Sequence, residues 1–66
     1  MYRKLRGKIV EVYGTQDAFS GAMEMSKVTL NLKLNGKSDW TAPEIVKACE
    51  LLSIPLSEAW LYFFAE

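Results

Sequence analysis

Three residues, Glu24, Met25 and Ser26, are all that separate two segments of this 66-residue chain that both read as helices. A connection that short forces the two helices to cross steeply rather than lie side by side. Both segments are well marked. Upstream, Thr15 is an N-cap for a helix running from Gln16 to Met23, with Ala18, Phe19, Ala22 and Met23 facing inward. Downstream, Ser26 caps a helix from Lys27 to Leu34, and Asn35-Gly36 ends it with a pair suited to a left-handed turn. Leu30 and Leu34, one turn apart, form its inward stripe.

The rest of the chain is organised around these two segments. A first helix is predicted over Tyr2 to Tyr13, with Leu5, Ile9, Val12 and Tyr13 on one stripe and Gly14 as its stop. Thr41-Ala42-Pro43-Glu44 combines an N-cap threonine, a proline in the first turn and a glutamate at the third helical position, a capping box. It opens a buried fourth helix carrying Ile45, Val46, Ala48, Cys49, Leu51 and Leu52 and ending before Ile54-Pro55. Ser57 then caps a last helix, Glu58 to Phe64, loaded with Trp60, Leu61, Tyr62, Phe63 and Phe64. No Pro/Gly-rich linker or repeat divides the sequence. Half of its residues are hydrophobic, which suffices for one core and not for two. The expectation is a compact all-α domain of five short helices spanning residues 1–66.

Several function classes fall away on inventory. The chain has no histidine and one cysteine, so zinc-site spacings and an internal disulfide cannot be written, and a reducing compartment is the simplest setting. Cys49 lies on an apolar stripe and reads as an inert core thiol. General acid-base work would fall to carboxylates, lysines and tyrosines, none of which forms a recognisable pair, and no glycine-rich phosphate loop is present. An enzyme, a cofactor, a metal site and a small-molecule substrate are therefore not expected. No apolar run approaches the roughly 18 to 20 residues of a membrane span. The opening Met1 to Arg6 does not read as a signal peptide, and Glu58 and Glu66 oppose contact of the aromatic tail with anionic lipid. Neither a membrane partner nor export is expected, which points to the cytoplasm.

Eight basic and eight acidic side chains cancel, but unevenly along the chain. Arg3, Lys4, Arg6 and Lys8 open it, Lys27, Lys33 and Lys37 cluster in the middle, and nothing basic follows Lys47. Glu50, Glu58 and Glu66 close it. A neutral total can thus contain an anion-binding face.

The stretch Thr15 to Lys37 resembles the helix-turn-helix of the Cro and phage-repressor, or lambda-repressor-like, family. Gln16 opening the second helix, Ser20 four positions on, Met25 before the Ser26 cap, and the closing Asn35-Gly36 fit that family's pattern in order. The likeness continues through the Ser38-Asp39-Trp40-Thr41 loop, the fourth helix and the Leu52-Ser53-Ile54 turn, so it covers nearly the whole chain. It is nearest to the short regulators of temperate phages and prophages of Gram-positive bacteria. One position departs: Glu24 stands in the turn where the family usually has glycine, because the backbone there tends to be left-handed.

The resemblance implies a lambda-repressor-like DNA-binding fold with helices two and three as the helix-turn-helix. It further implies a sequence-specific transcriptional regulator of a lysogeny switch, in the bacterial host cytoplasm, with helix 27–34 in the major groove of a double-stranded operator. Opposite Leu30 and Leu34 the helix then presents Val28 and Leu32, flanked by Thr29, Asn31 and Asn35. On DNA, Lys27 would donate to guanine, Asn31 would pair with adenine, and Val28, Leu32 and the Thr29 methyl would meet thymine methyls. Gln16, Ser26, Lys33, Asn35 and Lys37 would hold phosphates. Plainer roles stand beside these. Ser26 and Thr15 are caps, Lys33 and Lys37 can be solvated charges, and Arg3, Lys4, Arg6 and Lys8 read as a solvated helix face.

Two exposed aliphatic residues one turn apart call for a cover. Either DNA or another protein supplies it. The zero net charge and the absence of arginine after Arg6 weigh against DNA. The same family of phage switches includes modulators, or antirepressors, that bind a repressor protein, so a heteromer with a phage repressor through Val28 and Leu32 is the alternative. The aromatic tail poses a parallel choice. Trp60 and Leu61 are expected to pack on the first helix, with Trp60 also a candidate for an interface alongside Phe63 and Phe64. A homodimer through that helix would space two recognition helices by ~34 Å, one turn of DNA.

Overall fold

The computed structural model describes residues 1–64 of the chain. Five α-helices follow one another: α1 (Arg3–Tyr13), α2 (Gln16–Ala22), α3 (Lys27–Leu34), α4 (Ala42–Leu52) and α5 (Ala59–Phe63), with a 3-10 turn, Leu56–Glu58, leading into α5. Among the described residues there is no strand. The helices enclose a globule of 27 × 23 × 21 Å.

Local chemistry accounts for most helix ends. Thr15, Ser26 and Thr41 each accept the backbone N–H three residues on, at 3.1, 3.0 and 3.3 Å. At Thr41 the expected capping box is complete, since the Glu44 carboxylate accepts the Thr41 N–H at 2.9 Å. Each of α2, α3 and α4 stops in a left-handed residue followed by a bond reaching back five positions: Met25 N–H to Ser20 C=O, Lys37 N–H to Leu32 C=O, and Ile54 N–H to Cys49 C=O. The left-handed residues are Glu24, Gly36 and Ser53. Glycine meets this need without strain at Gly36, where the Met1 side chain also lies against the position a Cβ would take. Glu24 adopts the left-handed backbone that glycine would supply more cheaply, at φ 59°. Its carboxylate ties the turn to α4 through Lys47 Nζ at 2.7 Å.

The core draws on every helix: Leu5 and Ile9, Phe19 and Met23, Leu30 and Leu34, Ala48, Cys49 and Leu52, Ile54, then Ala59 and Phe63. Aromatic edges extend it, Tyr13 against Phe19 at 5.4 Å and Trp40 against Phe63 at 5.1 Å between ring centroids. Burial of this apolar surface is what holds so small a chain together.

Several expectations need correction. α1 begins at Arg3, with Tyr2 left-handed before it, and α2 ends at Ala22. Val12, Ala18 and Val46, read as inward, are exposed, because the core needs only the narrow stripe of each short helix nearest its neighbours. Ser20 takes an inward position instead, its hydroxyl donating to the Asp17 carbonyl at 2.7 Å. Ser57 caps nothing. It lies inside the 3-10 turn, and no side chain caps α5.

Candidate functional site

The outer face of α3 is built by elimination. Leu30 and Leu34 turn inward and are fully covered, which leaves Val28 at 69% and Leu32 at 42% exposure on the opposite side. Asn31 and Asn35 are exposed between and beyond them, and Thr29 is half-buried beside the Ser26 cap, its hydroxyl accepting from Ser26 Oγ at 2.9 Å. The expected grouping of Val28, Thr29, Asn31, Leu32 and Asn35 on one side of one helix is thus the observed one.

The cations around this face are arranged differently from the sequence expectation. Lys33, read as a phosphate contact or a solvated charge, is 5% exposed. Its ammonium lies 2.9 Å from Glu44 Oε1, donates to the Asp39 carbonyl at 2.8 Å, and sits 5.9 Å from the centroid of the Trp40 ring. It cannot reach a phosphate from there. The reason is periodicity: positions 30, 33 and 34 share one face of a helix, so a core-facing Leu30 and Leu34 carry Lys33 inward with them. Burial alone would push the Glu44 carboxyl up. The Thr41 hydrogen bonds and the Lys33 ammonium outweigh burial and hold it below its ordinary value.

Lys27, at the start of α3, meets Asp17 Oδ2 at 3.1 Å. Lys47 is bound to Glu24, whose carboxyl it draws below the usual range. Lys37 is exposed just past the helix and Gln16 half-buried at the start of α2. Of the residues expected to hold phosphates, Gln16, Ser26, Asn35 and Lys37 lie at the ends of α2 and α3 and Lys33 does not join them. The surface that α3 presents is apolar and amide-bearing, with carboxylates beside two of its neighbouring cations.

Sequence reasoning missed Arg6. Read as part of a solvated face, its guanidinium crosses to the end of α3 and donates to the Leu34 carbonyl at 2.9 Å and to Asn35 Oδ1 at 2.8 Å. Nothing local predicts a contact between positions so far apart.

The C-terminal aromatics also divide otherwise than expected. Phe63, read as an interface residue, is 6% exposed and packs edge-on against Trp40. Trp60, at 58%, and Phe64, at 70%, stand outside. The 3-10 turn sets the phase of α5 so that Ala59 and Phe63, four apart, face inward together. A groove of about 60 Å³ lies between Met1, Tyr2, Phe63 and Phe64. Cys49 is buried, and burial raises its thiol pKa. Among the described residues no three potential metal ligands gather, and no helix is long and apolar enough to cross a membrane.

Comparison with known proteins places this architecture. No curated protein matches the sequence. In structure the chain is similar to the modulator of repression (MOR) of the temperate bacteriophage TP901-1 from Lactococcus lactis, solved in solution, with 44% sequence identity and a TM-score of 0.86 over 96% of this chain and 85% of that one. The family model described as protein of unknown function (DUF739) matches residues 1–66, and the chain belongs to that family.

Proposed function

We propose that this protein is a phage or prophage modulator of the lysogeny switch that acts by binding a repressor protein through the outer face of α3. The observation that carries the reading is the composition of that face: Val28 and Leu32 stand exposed while Lys33 is withdrawn into the interior. A groove-reading helix gains most of its affinity from cations on phosphates. Here Lys27 and Lys47 are already engaged by Asp17 and Glu24. An aliphatic pair ringed by amides and ion pairs has the makeup of a small protein interface, with an apolar centre and a polar rim. The likeness to a phage modulator of repression supports the same assignment. The activity is binding rather than catalysis, in the cytoplasm of a bacterial host.

Operator binding, the function implied by the Cro-like pattern, is the second reading. Its support is that Gln16, Ser26, Asn35 and Lys37 still lie at the helix ends where phosphates would be held. On that reading a homodimer seam falls to Trp60 and Phe64, since the core has taken Phe63.

Fluorescence anisotropy separates the two. The protein is titrated against a temperate-phage repressor of the lactococcal type and, separately, against operator duplexes, each at low and moderate salt. Repressor binding that barely weakens with salt and is abolished by Val28→Asp or Leu32→Asp supports the protein-binding assignment. Saturable duplex binding by the protein alone that falls steeply with salt, and is weakened by Lys37→Ala, would overturn it in favour of DNA.

A further inference from the structure

A chain of polar contacts begins on α1 and ends on the outer face of α3. Arg6 Nε donates to the Met1 carbonyl at 3.0 Å, and its Nη2 donates to the Leu34 carbonyl and to Asn35 Oδ1. Asn35 Nδ2 in turn donates to Asn31 Oδ1 at 2.9 Å. The first link sets the direction of all the others. A guanidinium has donors and no acceptor, so turning the Asn35 amide over would set its NH2 group 2.8 Å from an N–H donor. Asn35 is therefore bound to show its oxygen to Arg6 and its nitrogen to Asn31. By the same logic Asn31 shows its oxygen to Asn35, which leaves its NH2 group facing outward, one turn along from Val28.

We infer that Arg6 is a positioning residue which, through Asn35, holds Asn31 as a hydrogen-bond donor on the docking face, so that the partner protein places an acceptor, a carboxylate or a backbone carbonyl, opposite it. This deepens the assignment of α3 as a docking face and rests on it. The polarity of the relay itself does not.

Asn35→Asp isolates the relay. A carboxylate at position 35 keeps the bond to Arg6, and as a charged acceptor strengthens it. It has nothing to donate to Asn31, so the Asn31 amide turns over and gives its own NH2 to the carboxylate. Hydrogen exchange of the side-chain NH2 groups, followed by nitrogen-15 NMR on the full chain, reads this without any partner. In the parent protein the Asn35 NH2 is the slowed one and the Asn31 NH2 exchanges as a free amide. In Asn35→Asp the Asn31 NH2 becomes the slowed one. A parent protein in which the Asn31 NH2 is already protected, or a variant in which it does not change, overturns the relay.

The binding arm uses the same repressor probe. Asn35→Asp and Asn31→Asp each weaken the complex by roughly tenfold, the scale of one interfacial donor lost or reversed, with unchanged circular dichroism. Parent-like affinity in both variants overturns the positioning role. Failure of the parent protein itself to bind repressor overturns the docking assignment, and with it the partner acceptor, while the exchange result still decides the relay.

Discussion

Cutting Lys33 back to alanine strips three groups of their partner at once. Glu44 loses an ammonium at 2.9 Å, the Asp39 carbonyl loses a donor at 2.8 Å, and the Trp40 ring loses the cation beside it. Removing one member of a buried ion pair costs about 3–5 kcal/mol where both partners are sealed from water. The Glu44 side chain is 26% exposed and keeps its bond from the Thr41 N–H, so water recovers part of that cost. We expect a loss of about 2–3 kcal/mol, after discounting for that exposure. In a domain of this size such a loss lowers Tm by on the order of 10–20 °C. Thermal unfolding followed by circular dichroism measures it, with Lys37→Ala as the surface control expected within about 0.5 kcal/mol of the parent. The pH dependence has a definite sign. The folded Glu44 carboxyl titrates below its ordinary value of 4.5, so the pair's contribution is complete above that value and fades as pH falls through the lower, folded one. Parent and variant therefore converge in acid. A Lys33→Ala protein that melts with Lys37→Ala at neutral pH, or a gap that persists undiminished near pH 3, would refute the buried-pair account.

Other outcomes follow from the same structure. Phe63→Ala, which empties a core position beside Trp40, should cost about 3–5 kcal/mol, whereas Phe64→Ala at the exposed neighbour should stay within about 0.5 kcal/mol; equal costs would mean that α5 is phased otherwise. Thr41→Ala breaks the capping box and should lower stability by about 1 kcal/mol in denaturant titration. Cys49, buried and with its thiol pKa raised, should react with a thiol reagent only as fast as the protein opens, and prompt labelling of the folded protein would contradict its place in the core.

The helices were legible because their ends are written locally. Thr15, Ser26, Thr41 with Glu44, and Asn35-Gly36 each declare a boundary within four residues, and the structure uses every one of them. The left-handed backbone at Glu24 was legible too, from the residue that the Cro-like pattern prefers there. The outer face of α3 followed from Leu30 and Leu34 by helical geometry alone. What escaped depends on partners distant in sequence or on a small shift of phase. Lys33 shares a face with Leu30 and Leu34, a visible sign, but a lysine is carried inward only when a carboxylate waits there, and Glu44 arrives from another helix. Arg6 finds its acceptors across the fold, at Leu34 and Asn35. The aromatic tail was misdivided because the 3-10 turn at Leu56–Glu58 fixes which of Trp60, Phe63 and Phe64 turns inward, whereas Ser57 reads in the sequence as the cap of a helix that already begins at Glu58.

Docking of the outer face of α3 on a repressor protein can be read residue by residue in a chemical-shift titration. Nitrogen-15-labelled protein is mixed with unlabelled repressor and, in a parallel series, with operator duplex at moderate salt. Repressor should shift or broaden the signals of Val28, Asn31, Leu32 and Asn35, leave those of the α4 core unmoved, and lose the effect with Leu32→Asp. Perturbation of the same face by duplex alone, with none from repressor, would contradict it.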